Sequence, residues 1–408
     1  MKKKIITLLF AVMLLTMSVG CSSPAEDSSA DEVQTETAEK MKEAEESEET
    51  GGTQAVDPKA PVIEGLTYES TVEMEYAECF QIYRYEGGYS VVRIDDGRDY
   101  ILIPEGGEIP KDLPASVIII QLPLENIYIQ ATSSISYFDE LNAIDHIRLS
   151  GTRQDGWYVD GMIEAMDRGD VLFAGKYSEP DFEMMVSEGC DLALESTMIL
   201  HNPEVLEKIE EMGIPVLIER SSYEKHPIAK TEWVKLIGEL VGEPEAAEEL
   251  FQEQKSYVAG LEDFENTEKT VAFFYVNQNG IIVTRKSDDY LPKMIELAGG
   301  RYIFENLGDP DKATSGVNLT MEEFYASAKD ADYIIYNASI DEPLTSVDDL
   351  LDMNTLFADF KAVKEGNVWT TGKSLHQANS DLGEMILDIN EMLTDDTVQN
   401  LRFMQRLQ

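Results

Sequence analysis

The sequence predicts an α/β protein of two lobes, each a mostly parallel sheet flanked by helices, joined by a single long backbone helix. Three observations predict it. Short apolar runs alternate with amphipathic segments in both halves of the chain, the pattern of βα units. Between the halves, from Thr231 to Phe264, apolar residues recur at helical spacing. Finally, Phe182–Leu194 and Met321–Ile335 repeat one form: an acidic helix start, an apolar face, a break at Asp and a buried strand.

The chain opens on Lys2, Lys3 and Lys4, followed by an apolar run from Ile5 to Met17. That run is shorter than the ~20 residues a stable membrane span needs, so residues 1–20 read as an export signal. Ser18-Val19-Gly20-Cys21 resembles the lipobox of bacterial lipoproteins, with Ser18 where that pattern usually has Leu. The resemblance implies lipid on Cys21 and a protein held at the outer face of the cell membrane, since two or more acyl chains suffice for stable anchoring. The alternative is an ordinary signal peptide with an incidental cysteine.

Residues 21–60 form an acidic linker. From Ala25 to Val56 there is no aromatic residue and almost no large apolar one, so the segment cannot offset its chain entropy by burial. As a self-repelling tether its mean reach is ~35 Å. The whole chain carries 79 acidic against 32 basic residues and a formal charge of −47, which excludes nucleic-acid binding by a generic basic surface. Beyond Cys21 only Cys79 and Cys190 remain, able to pair outside the cell but read here as two buried thiols.

The first lobe spans 61–230. Its part at 61–115 includes a hairpin extension, in which Tyr89–Ile94 and Tyr100–Ile103 flank an Asp-Asp-Gly turn. Val117–Ile120 follows as a buried strand, and then come strands at Val171–Ala174, Asp191–Leu194 and Pro215–Ile218. A helix between the last two opens at Asn202-Pro203 and stops at Gly213. The stretch 231–265 is the backbone helix, either one helix of ~45 Å or two stacked helices, because Gly242 and Pro244 interrupt it. In the second lobe, 266–408, strands at Val271–Val276, Ile281–Thr284, Tyr333–Tyr336 and Val368–Thr371 alternate with helices at Tyr290–Ala298, Met321–Ala328 and Leu382–Leu393.

No P-loop, G-x-S-x-G or G-x-G-x-x-G motif is present, and His146, His201, His226 and His376 lack tight ligand spacing. The pattern therefore reads as a binding protein without enzymatic activity. The alternatives are a receptor for a free metal ion, or less favourably an extracellular metal-dependent hydrolase.

Two lobes around a backbone helix behind a lipid anchor resemble the helical-backbone class of ABC-transporter substrate-binding proteins. The residues that carry this are Asp191–Glu195, Glu204–Val216, Ser222–Trp233 and Leu297-Ala-Gly-Gly300 before Ile303-Phe304. The match covers about Ile144 to Leu393, within a binding domain of about 144–400. The resemblance implies a monomer that captures an iron–siderophore, haem or cobalamin-type corrinoid in a cleft between the lobes and delivers it to an ABC permease and its ATPase. No resident cofactor is implied. Glu183 and Glu322 fall on the positions where the family docks acidic residues onto permease arginines, and a carboxylate in a helix's first turn is favoured by the dipole.

Ligands of open α/β sheets bind beyond the carboxyl ends of the strands. That rule selects Arg153, Trp157, Tyr158, Ser196, Arg220 and Tyr223 in the first lobe, and Asn277, Arg285, Asn337, Lys373 and His376 in the second. Arginine with aromatics suits a flat or anionic ligand. Trp157 reads equally as a packing residue, Arg220 as a salt-bridged hinge residue, and His376 as an axial metal ligand or a plain surface histidine.

Overall fold

The computed structural model describes residues 57–261, 264–309, 315–340 and 343–408. The export signal, Cys21 and the acidic tether as far as Val56 lie outside the described residues. The last residues assigned to the tether are already part of the fold, because Asp57 accepts hydrogen bonds from the Lys59 amide and the Thr71 hydroxyl.

The hairpin expected near residue 90 belongs to a larger unit. Strands β1 (Tyr68–Thr71), β2 (Phe80–Tyr85), β3 (Tyr89–Ile94), β4 (Asp99–Ile103) and β5 (Val117–Gln121) form a five-stranded sheet in that order. Neighbours are antiparallel except β4 and β5, which are parallel. Alternation along β2 and β3 turns Ile82, Val92 and Ile94 toward the body of the protein, and Tyr83, Tyr85 and Val91 toward a small outer core. β5 is a sheet edge with only Ile120 buried, not the enclosed strand its apolar run suggested.

The first lobe contains β6 (Ile127–Ile129), α1 (Ile135–Glu140), β7 (Ile147–Ser150), α2 (Asp160–Arg168), β8 (Leu172–Phe173), a two-stranded ribbon of β9 (Gly175–Lys176) and β10 (Glu179–Pro180), α3 (Phe182–Ser187), β11 (Leu192–Ser196), α4 (Pro203–Glu211) and β12 (Val216–Glu219). Its sheet is wholly parallel, in the order β12-β11-β6-β7-β8.

The connector is α5 (Pro227–Glu232), α6 (Val234–Val241) and α7 (Pro244–Ala259). This corrects the single long helix in favour of the stacked pair, with the short α5 before it. Gly242 adopts φ +78° and ends α6 in the left-handed conformation, and Pro244 starts α7 where its missing N–H costs nothing. α7 then folds back on α6, with Lys235 bonded to Glu248 at 3.0 Å. Gly238 sits at the crossing, where a Cβ would come within 2.6 Å of the Ala247 Cβ. Periodicity is unchanged by such a reversal, so only Gly242 and Pro244 mark it in the sequence.

The second lobe is built from β13 (Thr270–Val276), β14 (Ile282–Arg285), α8 (Tyr290–Leu297), β15 (Arg301–Tyr302), β16 (Gly316–Leu319), α9 (Met321–Ala328), β17 (Tyr333–Tyr336), α10 (Val347–Met353), α11 (Lys361–Glu365), β18 (Val368–Thr371), α12 (Leu382–Thr394) and β19 (Met404–Arg406). Its sheet runs β16-β14-β13-β17-β18-β19, parallel at the centre and antiparallel at both margins, with β15 beside β13. The repeated form seen in the sequence is α3–β11 in one lobe and α9–β17 in the other. Phe274, Phe324, Phe357 and Phe360 fill this lobe with tilted and stacked ring contacts. Cys79 and Cys190 are free and buried, and burial raises both thiols well above their ordinary pKa.

Glu195 at the end of β11 has a measurable consequence. It is fully buried on the face occupied by Tyr128, Leu149 and Ala193, and neither carboxyl oxygen has a hydrogen-bond partner among the described residues. Burial alone pushes its pKa up from 4.5 to about 8. A raised folded-state pKa means that the folded protein holds a proton the unfolded chain has released. Stability is therefore fully present below pH 4.5 and falls as pH rises toward about 8, by up to about 1.4 kcal/mol per pH unit. Glu195→Gln is predicted to remove this slope and to stabilise the protein at neutral pH. Urea unfolding at several pH values checks it, and an unchanged slope in the variant would refute the assignment.

Candidate ligand-binding cleft

The carboxyl ends of the parallel strands place one set of loops at the lobe junction. β7 delivers 151–158 from the first lobe and β18 delivers 373–377 from the second. The two loops meet. Tyr158 and His376 stand edge to face with ring centroids 6.3 Å apart, and Lys373 Nζ lies 5.8 Å from the centre of the Tyr158 ring. Gln377, completely buried, accepts from the Tyr158 amide at 2.9 Å and donates to the Gly156 carbonyl at 2.7 Å.

Arg285, at the end of β14, bonds Ser315 Oγ at 3.0 Å and lies 3.9 Å from the Asp289 carboxylate. Burial, and secondarily the Arg285 charge, lower the His376 pKa and favour the neutral ring. Beneath these groups Lys230 of α5 is almost wholly enclosed. Its ammonium donates to the Ser221 carbonyl at 2.9 Å and lies 4.6 Å from the centre of the Tyr290 ring. Burial pulls the Lys230 pKa down, while Glu219 and Asp289 oppose that pull. A neighbouring groove of about 340 Å³ runs between Lys225 and His226 of the first lobe and Asp288 and Lys293 of the second. The junction thus combines cations, tyrosines and an imidazole with the carboxylates of Asp288 and Asp289. Such a lining can stack on a flat ligand and pair with an anionic one.

Some expected residues lie elsewhere or are already committed. Trp157 is buried, and its indole N–H donates to Ser150 Oγ and the Thr152 carbonyl, so it supports the loop from behind instead of touching a ligand. Asn337 is also buried, with its Oδ1 accepting from the Ser339 amide and hydroxyl. Asn277 caps the turn between β13 and β14 through bonds from the Asn279 and Ile281 amides. Ser196 Oγ caps the turn that follows β11. Arg220 takes the salt-bridged alternative: it pairs with Asp95 of the added sheet and stacks 4.3 Å from the centre of the half-exposed Tyr223 ring.

Arg153 is exposed and stacks on Phe173 at 4.3 Å. His376 is half-buried, which removes the plain surface reading. Its Nδ1 is enclosed and its Nε2 lies 3.4 Å from Gln377 Nε2. Lys230, Tyr290, Asp289 and Gln377 escaped the sequence reading. The loop containing Gln377 was selected, but Lys230 sits in a helix whose six residues are all buried, which nothing in the sequence announces.

Glu183 and Glu322 occupy matching places, each the second residue of a helix, α3 and α9, that precedes a central strand. Both are exposed, and among the described residues neither forms an ion pair. Asp181 and Thr320 cap the two helices. Among the described residues no group of three or more His, Cys, Asp and Glu side chains is placed to hold a metal ion, and no helix is long and apolar enough to cross a membrane.

Comparison with known proteins fits this geometry. An uncharacterized lipoprotein of Methanocaldococcus jannaschii is 25% identical over 307 residues, which are 73% of this chain and 76% of that protein. The petrobactin-binding protein of Bacillus subtilis superimposes with a TM-score of 0.55 at 15% identity, covering 67% of this chain and 93% of its own. A periplasmic haem-binding protein of Pseudomonas aeruginosa gives 0.54 at 14% identity, covering 70% and 99%. These structures share the two-lobed α/β fold. The sequence profile described as Periplasmic binding protein matches residues 155–375, from the first-lobe cleft loop through to the second-lobe one. With more than half of its length inside that profile, the chain belongs to the periplasmic binding protein family.

Proposed function

We propose that the protein is the extracellular substrate-binding component of an ABC importer, and that it captures an anionic metal chelate. The candidate ligands are a ferric siderophore, haem or a corrinoid. The observation that carries this reading is the convergence of Arg285, Lys373 and Lys230 on Tyr158 and Tyr290 at the lobe junction. Arg285 and Lys373 can pair with a chelate whose ligand atoms carry negative charge, although Asp288 and Asp289 stand beside them. The siderophore and haem proteins of the same fold support the ligand class. Lipid on Cys21 holds the protein at the outer face of the membrane, a placement supported by the lipoprotein relative. Delivery proceeds through a permease that docks on Glu183 and Glu322.

The test is titration of the mature chain, freed from the membrane by Cys21→Ser, with ferric catecholates, ferric hydroxamates, haem and cobalamin. Trp157 lies directly behind the cleft loop, so a bound absorbing chelate is expected to quench its fluorescence saturably. Arg285→Ala should weaken an anionic chelate about tenfold or more, the cost of losing a charge-assisted hydrogen bond. Quenching by none of the chelates, with binding of a free metal ion instead, would overturn the reading.

A further inference from the structure

One short segment of the second lobe supplies a row of hydrogen bonds to the other side of the junction. The Gln377 carboxamide bonds the Gly156 carbonyl and the Tyr158 amide. Asn379 Nδ2 donates to Ser221 Oγ at 3.1 Å, and its carbonyl accepts from Thr231 Oγ1 of the connector at 2.9 Å. The Ser380 amide donates to Ser136 Oγ at 3.1 Å. The members of this row differ in position. Asn379 and Ser380 bond α1, the connector and the turn after β12, deep in the junction. Gln377 sits next to His376 and bonds the loop that presents Tyr158.

We propose that Gln377 is a positioning residue, an interlobe latch that holds the 151–158 loop against Lys373 and His376 and so sets how firmly the cleft retains its ligand. Its carboxamide pairs with the peptide groups of Gly156 and Tyr158 as one strand pairs with another, one donor and one acceptor on each side. Removing the side chain leaves a carbonyl and an N–H unpaired in a closed site, and the loop recovers those bonds by turning toward water. Asn379 and Ser380 keep the lobes joined, so the change is confined to the mouth of the cleft. The functional half of the proposal rests on the reading of this junction as the ligand site. The structural half does not.

The experiment is hydrogen–deuterium exchange of the mature Cys21→Ser chain without ligand, in the wild type, Gln377→Met and Gln377→Ala. In the wild type the Tyr158 amide is expected to be protected. In both variants exchange across 151–158 should rise about tenfold or more, in line with the loss of two net hydrogen bonds. Segments 132–138 and 219–223 should exchange as before, with an unchanged cooperative melt. The dissociation rate of whichever chelate the wild type binds should rise by a similar factor. An unprotected Tyr158 amide in the wild type overturns the latch whether or not the variants fold, and so does unchanged loop exchange in a folded variant. Faster loop exchange in a protein that binds no chelate would leave the latch standing and refute the ligand site.

Discussion

Glu232→Ala is expected to destabilise the protein by about 3–5 kcal/mol, the range for removing one partner of a buried, hydrogen-bonded ion pair. Glu232 is fully buried in α5. Its two carboxylate oxygens accept the backbone amides of Glu75, Tyr76 and Ala77, each at 2.8 Å, and the Lys235 ammonium at 3.0 Å. Lys235 in turn donates to the Glu73 carbonyl, and Glu224 accepts the amides of Glu78 and Cys79. Among the described residues the chain from 73 to 78 has no ladder partner of its own. Two glutamates of the connector region supply the acceptors that a neighbouring strand would otherwise provide. Truncating Glu232 strands three N–H groups together and removes the most buried of the Lys235 ammonium's partners, leaving it Glu248 and the Glu73 carbonyl. Because Phe80 packs 4.7 Å from Trp233 at the centre of the common core, the added sheet should not peel away independently. A single shifted unfolding transition in urea, with an unchanged slope, is the expected observation. A loss below about 1 kcal/mol would show that water replaces the carboxylate at this site.

The same contacts show where sequence reasoning reached its limit. α9 and β17 were legible to the residue because local chemistry marks them: Thr320 and Glu323 form a capping box, and Tyr333–Tyr336 is an uninterrupted apolar run. Of the two readings of the connector the structure takes the stacked pair broken at Gly242 and Pro244; the hydrophobic period alone could not choose, because it records which residues are apolar and not which way the chain turns. The added sheet was seen at β3 and β4, where a short turn joins the strands, and at β5, which the apolar run marked as a strand but not as a sheet edge. Its attachment depends on Glu232 and Glu224, which lie about 150 positions away and resemble helix-surface glutamates in sequence. In the cleft, the carboxyl-end rule selected the loops that meet, but not which side chain of each loop faces inward. Trp157 and Tyr158 are adjacent, yet one is bound to the first-lobe core and the other faces the second lobe. Gln377 contacts residues more than 200 positions away, and a glutamine's role is set by what faces it.

Charge reversal at both lobe tips, Glu183→Lys with Glu322→Lys, is expected to abolish transport while leaving chelate affinity within about twofold of wild type. Each carboxylate sits in the first turn of a helix whose start lies at the carboxyl edge of its sheet, the edge that also bears the cleft loops. Neither is engaged in an ion pair among the described residues, so neither contributes much to the fold beyond a helix-dipole term of about 0.3–1 kcal/mol. A carboxylate that gains a forked arginine partner on docking contributes about 1.5–3 kcal/mol. Lysine removes that and adds like-charge repulsion. Across two tips the loss reaches on the order of a thousandfold in docking affinity, whereas a single reversal should leave partial uptake. Accumulation of labelled chelate by whole cells, set beside chelate affinity of the purified variants, separates the outcomes. Chelate affinity falling in step with uptake would place these glutamates in the ligand site, and unchanged uptake would place the permease contact elsewhere on the lobes.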